Sequence, residues 1–265
     1  MKKLMILLAA VSLLAGCSSS GPGNADSQTL TVAATAVPHA EILKEVKPIL
    51  AKEGVDLQIK VFADYVQPNT QVVEKTIDLN YFQTKPYLDT FNREHNTHLV
   101  TITGVHIEPF GAYSHKYKSM DQLPNGATVT LPNDPANGGR ALLLLARNGV
   151  ITLKDPNNEL ATPKDITVNP KNLVFKPLEA AMLPRTLDEV DLALINTNYA
   201  LAAGLNPTKD ALLLESKDSP YVNYLVGRED NQNDPRVQKL AKALTSPQIK
   251  AFIEQKYHGA VLPAF

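Results

Sequence analysis

The chain has 265 residues, 44% of them hydrophobic and 20% charged, which supplies enough apolar surface for a substantial core and excludes a disordered chain. With 26 basic against 27 acidic residues the formal charge is -1, and no Lys/Arg run follows the first three residues, so nucleic acid is excluded as a partner. A single cysteine, Cys17, rules out an internal disulfide.

Residues 1–17 read MKKLMILLAAVSLLAGC: two lysines, an apolar run broken only by Ser12, then small residues before the cysteine. The run from Leu4 to Ala15 is about 12 residues long, whereas a spanning helix needs about 20, so this is a secretory signal and not a membrane span. LAGC resembles the lipobox of bacterial lipoproteins, which makes 1–16 the signal peptide and Cys17 the lipidated first residue of the mature chain. An ordinary signal peptide with a chance cysteine is the alternative. Removing Lys2 and Lys3 leaves 24 basic against 27 acidic residues, a mature charge of -3. Several acyl chains on Cys17 suffice for lasting attachment to a bacterial membrane, facing the periplasm or the exterior. The segment SSSGPGNADSQ is small and polar, and 17–28 reads as a flexible tether.

From Thr29 the chain alternates β-rich and helical stretches: TLTVAA, HAEILKEVKPILAKEG, VDLQIKVF, PNTQVVEKTI, DLNYF, PYLDTFNREH and HLVTITGV. That alternation predicts a parallel sheet flanked by helices. In the first helix Ile42, Val46, Ile49 and Leu50 share a face, Gly54 is placed to end it, and Pro48 predicts a kink. A second α/β series follows: ATVTL, a helix after Gly139 closed by Gly149, VITLK, NLVFKPL, LDEV, DLALI, and the short helix YALAAG. HIEPFGAYSHKY and ESKDSPYVNYLVGRED, extended and marked by proline and aromatics, are the two crossings between lobes. The stretch DPRVQKLAKALTSPQIKAFIEQKYHG is expected to be one last helical segment packing back on the first lobe. The expected division is 29–108 with 224–265 as lobe 1 and 109–223 as lobe 2, an α/β clamshell closing on a small solute in the cleft between them.

In NDPANGGRALLLLARNGV, the loop runs into an apolar helix whose N-terminus faces the cleft. Gly138 and Gly139 are expected to let the backbone approach an anion, with Arg140 gripping a carboxylate bidentately. Phosphate is the competitor, but the loop lacks the GK[ST] ending of a P-loop. The bland alternative pairs Arg140 with Asp134 at the surface, and burial of Arg140 in a protein ion pair would count against the anion grip. On the facing lobe Tyr65, Phe82 and Tyr87 lie at or just after strand ends, as aromatic walls for a flexible apolar group such as a thioether, or else as core. Asn198 opens YALAAG and is read either as a cap or as an amide offered to the solute. Asn223, in the second crossing, is read as an acceptor for an ammonium group or as an edge-strand residue.

LAGC, DYVQPN, YFQTKPYL, FNREHNTHLV, NDPANGGRALLLL, NTNYALAAGL and DSPYVNYLVGRED together closely resemble the methionine-binding lipoprotein family, the NlpA type, over nearly the whole mature chain. The resemblance implies a type II periplasmic-binding-protein fold and delivery of methionine to an ABC importer of permease and ATPase, with no catalysis, no cofactor and a monomeric chain. It assigns the ligand carboxylate to Arg140, its polar backbone groups to Asn198 and Asn223, and its side chain to Tyr65, Phe82 and Tyr87. One departure is Thr84: where the family reads YFQH, this chain reads YFQT. Losing that imidazole removes a donor and leaves volume, opening the site to a D-isomer, a methionine derivative, a short methionine-containing peptide or another amino acid.

A metal-capturing lipoprotein is the rival, because His95 and His98 lie three apart, with His106 and His115 following. No carboxylate cluster accompanies them. A hydrolase lacks support: no G-x-S-x-G, HExxH or S-x-x-K occurs, and His39 has no nucleophile near it in sequence. A surface adhesin on the same fold is a further alternative.

Overall fold

The computed structural model describes residues 28–265; the signal peptide, Cys17 and most of the tether lie outside the described residues. In chain order the elements begin with β1 (Thr29–Thr35), α1 (Glu41–Lys52), β2 (Asp56–Phe62), α2 (Gln67–Val73), β3 (Leu79–Thr84), α3 (Lys85–His95) and β4 (Leu99–Ile107). After a first crossing come β5 (Gly111–Tyr113), β6 (Thr128–Pro132), α4 (Pro135–Arg147), β7 (Thr152–Leu153), β8 (Ile166–Val168), β9 (Val174–Leu178), β10 (Leu192–Ile195), α5 (Thr197–Ala202), α6 (Pro207–Asp210) and β11 (Leu213–Leu214). The second crossing leads into β12 (Val222–Arg228), α7 (Pro235–Leu244), α8 (Pro247–Tyr257) and β13 (Leu262–Pro263).

Two sheets organise the lobes. The first has the order β13-β4-β12-β3-β1-β2 and the second β11-β5-β10-β6-β9, with β7 and β8 as a separate hairpin. β1 runs parallel to β2 and β3, and β6 parallel to β9 and β10, as the strand-helix alternation requires. The strands that follow a crossing run the other way: β12 is antiparallel to β3 and β4, and β5 to β10. Val222 and Asn223, expected on the second-lobe side, pair with β4 in the first sheet.

The first core packs α1, α7 and α8 over β1 and β3 through Ile42, Leu43, Val46, Leu240, Leu244, Ile249 and Ile253. Pro48 sits on the exposed side of α1, where water can reach the carbonyl it leaves without a partner, and the helix runs continuously through it. The C-terminal stretch forms two helices where one was expected. Pro247 carries no N–H to continue α7, and Ser246 accepts from the Ile249 N–H to cap α8. In the second lobe every residue of α4 from Ala136 to Leu145 is buried, the polar Asn137 and Arg140 included, with the unbroken apolar run 141–145 carrying the packing. It packs on β6 and β10 through Val129, Leu131, Leu142, Leu192 and Leu194. Ala180–Thr186, which gave no clear signal in the sequence, is a 3₁₀ stretch.

Candidate solute-binding site

A narrow cavity of about 20 Å³ lies between the lobes. Tyr65, Phe82, Gln83, Thr84 and Tyr87 line it from the first lobe, Asn137, Arg140, Asn196, Thr197 and Asn198 from the second, with Glu108 and Asn223 where the chain crosses. Tyr65, Phe82 and Tyr87 stand together on one side of it. Their ring centroids lie 5.6 to 5.9 Å apart, and Ala136 at the start of α4 packs against them. β3, buried along its whole length, delivers Phe82, Gln83 and Thr84 to this wall. Behind it, the Gln83 amide is fixed by Asn69 and Asn80 through bonds of 2.6 to 3.0 Å.

Arg140 lines the cavity, 4% exposed, but its fork is not free. Nε donates to Glu215 Oε1 at 2.8 Å and Nη2 to Glu215 Oε2 at 2.5 Å, while Nη2 also donates to the Glu108 carbonyl at 2.8 Å. The guanidinium stacks over Tyr221 at 4.2 Å. Burial opposes its charge, and the Glu215 carboxylate outweighs that to hold the pKa above the ordinary arginine value. This corrects two expectations. Asp134 is not the partner, and the bidentate edge expected to meet a ligand carboxylate is occupied by a protein carboxylate. Only Nη1 is left to offer a ligand a charge-assisted bond.

The glycines are corrected as well. α4 begins at Pro135, so Gly138 and Gly139 lie inside its first turns, and neither lines the cavity. The Gly138 N–H already donates to the Asp134 carbonyl, and the Asn137 N–H to the Asp134 carboxylate that caps the helix. A Cβ at Gly139 would fall 2.0 Å from the Glu159 carbonyl oxygen, and one at Gly138 2.9 Å from that of Pro132. The pair exists so that α4 can press against β6 and the 159–161 loop, not to bare its amides to an anion.

Glu108, unremarked in the sequence beyond its place in the crossing HIEPF, is the site's buried carboxyl, 5% exposed. His106 Nε2 lies 2.7 Å and His39 Nε2 3.2 Å from its Oε1. The other nitrogens of the two rings meet hydroxyls: His39 Nδ1 the Thr35 hydroxyl at 2.7 Å, His106 Nδ1 the Tyr81 hydroxyl. With both rings neutral, His106 Nε2–H donates to Glu108 and His39 Nε2–H to Asn223 Oδ1 beside it, while each Nδ1 accepts from its hydroxyl. Burial lowers the pKa of His39 to about 4 and that of His106 to about 3, which keeps both neutral. Burial raises the Glu108 pKa against the pull of His39, Arg140 and the Asn198 backbone N–H. A cation placed in the cavity beside Glu108 would favour its carboxylate form.

Asn198 accepts from the Tyr65 hydroxyl at 2.6 Å, so the group it has to offer a solute is its amide nitrogen, a donor. It does not cap α5; Asn196 holds that position. Asn223 Oδ1 lies 3.0 Å from His39 Nε2, so the carbonyl expected to receive an ammonium already has a partner, and Glu108 beside it is the stronger acceptor. Thr84 lines the cavity, 9% exposed, and lies opposite Asn223 in the β3–β12 register. Asn137, Asn196 and Thr197 join the lining without having been expected there. Asn196 and Thr197 directly follow β10, at the strand ends that flank a cleft, and that position was their only signal.

The histidines of the metal reading do not converge: His95 stacks on Phe91 at 4.3 Å and His115 pairs with Asp188 at 2.7 Å. Among the described residues the group with metal-ligand spacing is His39, His106 and Glu108, whose ligand atoms lie within 4.8 Å of one another. There His106 Nε2 is already hydrogen-bonded to Glu108 and His39 Nε2 to Asn223 Oδ1.

Two α/β lobes joined by two crossings, with an aromatic and polar cavity between them, define a solute-binding clamshell of the periplasmic-binding-protein kind. The chain belongs to the NlpA lipoprotein family, whose model matches residues 30–265. It is 43% identical to the methionine-binding lipoprotein MetQ of Bacillus subtilis over 271 residues, covering 99% of each chain. It is 42% identical to the D-methionine-binding lipoprotein MetQ of Salmonella typhi, covering 94% of this chain and 92% of that one. The solved structure of a nutrient-binding protein from Burkholderia cenocepacia bound to methionine superposes with a TM-score of 0.86 at 44% identity, over 89% of this chain and 100% of that one. Among the described residues no helix is long and apolar enough to cross a membrane.

Proposed function

We propose that this chain captures methionine outside the cytoplasm for an ABC importer, as a monomer held to the membrane by lipid on Cys17, and that it catalyses nothing. The observation that carries the reading is the charge arrangement of the cavity. Arg140 and Glu215 neutralise each other, which leaves Glu108 as a buried carboxyl without a full cationic partner, in a cavity lined otherwise by aromatic rings, amides, two threonines and the paired Arg140. An α-ammonium answers Glu108. The α-carboxylate then meets donors, Arg140 Nη1 and the Asn198 amide nitrogen, and a thioether chain meets Tyr65, Phe82 and Tyr87. The relatives that bind methionine by name support the same ligand.

The test is a thermal shift of the mature chain against L-methionine, D-methionine, methionine-containing dipeptides and zinc. Methionine at 100 times its Kd stabilises by about 2.7 kcal/mol. A shift with zinc and none with any amino acid or peptide would overturn the reading in favour of metal capture.

A further inference from the structure

Two tyrosines bridge the lobes in opposite directions. Tyr65, in the loop between β2 and α2, donates to Asn198 Oδ1 of the second lobe at 2.6 Å. Tyr199, on α5 of the second lobe, donates to the Ala63 carbonyl of the first at 2.9 Å. Their rings lie 5.0 Å apart, tilted by 37°. The two differ in what else they touch. Tyr65 lines the cavity, whereas Tyr199 lies outside it, between one surface groove that reaches Asp64 and Gln67 and another that reaches Phe62 and Arg185.

We propose that Tyr199 is an interlobe latch, a positioning residue that holds the clamshell shut and sets the rate of solute escape without touching the solute. The proposal rests on the reading of the cavity as a methionine site. The acceptor is well placed for such a role: Asp64, next to Ala63, accepts from the N–H groups of Val66 and Gln67 at 2.8 Å, which fixes the turn that presents the Ala63 carbonyl. Opening the lobes breaks the bond from Tyr199 to Ala63 and parts the two rings. The Tyr65 bond, by contrast, orients Asn198 toward the solute, so its loss would mix recognition with closure. Tyr199 separates the two effects.

Tyr199→Phe removes the hydroxyl and keeps the ring. In the full lipidated chain in detergent, stopped-flow release of methionine is expected to be two- to tenfold faster than in wild type, roughly the range of one net hydrogen bond. Association should stay within about twofold, the pattern of a residue acting on dissociation. Spin labels at Lys52→Cys and Lys164→Cys report the lobe separation without ligand, and Tyr199→Phe is expected to shift that distribution to longer distances. An unchanged release rate overturns the latch, as does slower association with release unaltered. If wild type takes up no methionine, the capture reading fails, and the ligand-free distances alone decide the latch: an unshifted distribution then overturns it.

Discussion

Arg140 on α4 and Glu215 on the second crossing, 75 residues apart, form a bidentate ion pair. Glu215 also accepts from the Phe110 N–H at 3.0 Å and from the Ser219 hydroxyl at 3.1 Å, while Arg140 reaches back to the Glu108 carbonyl. The guanidinium therefore ties the helix to both strands of the hinge. A solute carboxylate that drew on its remaining nitrogen would engage the hinge directly.

That double role separates two effects of substitution. Arg140→Ala is expected to lose methionine binding and also to destabilise the ligand-free protein by about 3–5 kcal/mol, because Glu215 is left buried and unpaired. The double variant Arg140→Met/Glu215→Leu removes both charges and is expected to regain most of the stability but none of the binding. Calorimetric titration beside a denaturant melt reads both quantities. Wild-type affinity in the double variant would make Arg140 a hinge residue alone.

Glu108→Gln should weaken methionine by roughly 30-fold or more, the cost of losing a charge-assisted hydrogen bond in a closed cavity. The informative comparison is with 4-(methylthio)butanoic acid, which is methionine without its amine. Wild type should bind it far more weakly than methionine, and Glu108→Gln should bind the two about equally. A variant that still discriminated between them would place the ammonium elsewhere, with Asn223 as the next candidate.

Much of this site could be read from residue types at strand ends. Phe82 and Thr84 close β3 and Asn198 follows β10, positions that period and turn signals locate without any tertiary information. Glu108 and Glu215 were not legible, because a lone acid in a crossing declares its partner only when the lobes meet, 69 residues from His39 and 75 from Arg140. The Gly-Gly pair misled for a physical reason: an approach to a ligand and an approach to a neighbouring backbone ask the same thing of a sequence, the absence of a Cβ. The break between α7 and α8 was available in Ser246-Pro247, a cap followed by a proline in the first turn, but the apolar spacing on either side masked it.

Thr84→His puts an imidazole into the wall opposite Asn223. The added ring takes up cavity volume and brings a donor, so the variant is expected to narrow the range of ligands, losing D-methionine and methionine-containing dipeptides relative to L-methionine. Competition binding with the three ligands measures it. An unchanged profile would mean that neighbouring side chains already compensate for the threonine.

The buried imidazoles set the pH response of the fold. Both histidines have folded-state pKa values, about 4 for His39 and about 3 for His106, below the unfolded value of 6.5. Their contribution to stability is therefore complete above pH 6.5 and is lost as pH falls toward those values, because the unfolded chain takes up protons that the native state refuses. Each such proton is worth about 1.4 kcal/mol per pH unit. Glu108 acts in the opposite sense: its raised pKa lets the native state accept a proton above pH 4.5 that the unfolded chain does not hold, which offsets part of the loss. Asp134, likewise raised by burial, acts in the same sense as Glu108, so between pH 6.5 and 4.5 the histidine contribution is read as the difference in slope between wild type and a variant lacking one ring. Denaturant melts across that window should show His106→Gln losing stability less steeply on acidification, or gaining more, than wild type. Methionine should counter the Glu108 contribution, since an ammonium beside the carboxylate displaces its proton, so ligand-bound protein should lose stability more steeply on acidification than ligand-free protein. Equal slopes with and without methionine would separate Glu108 from the bound amine.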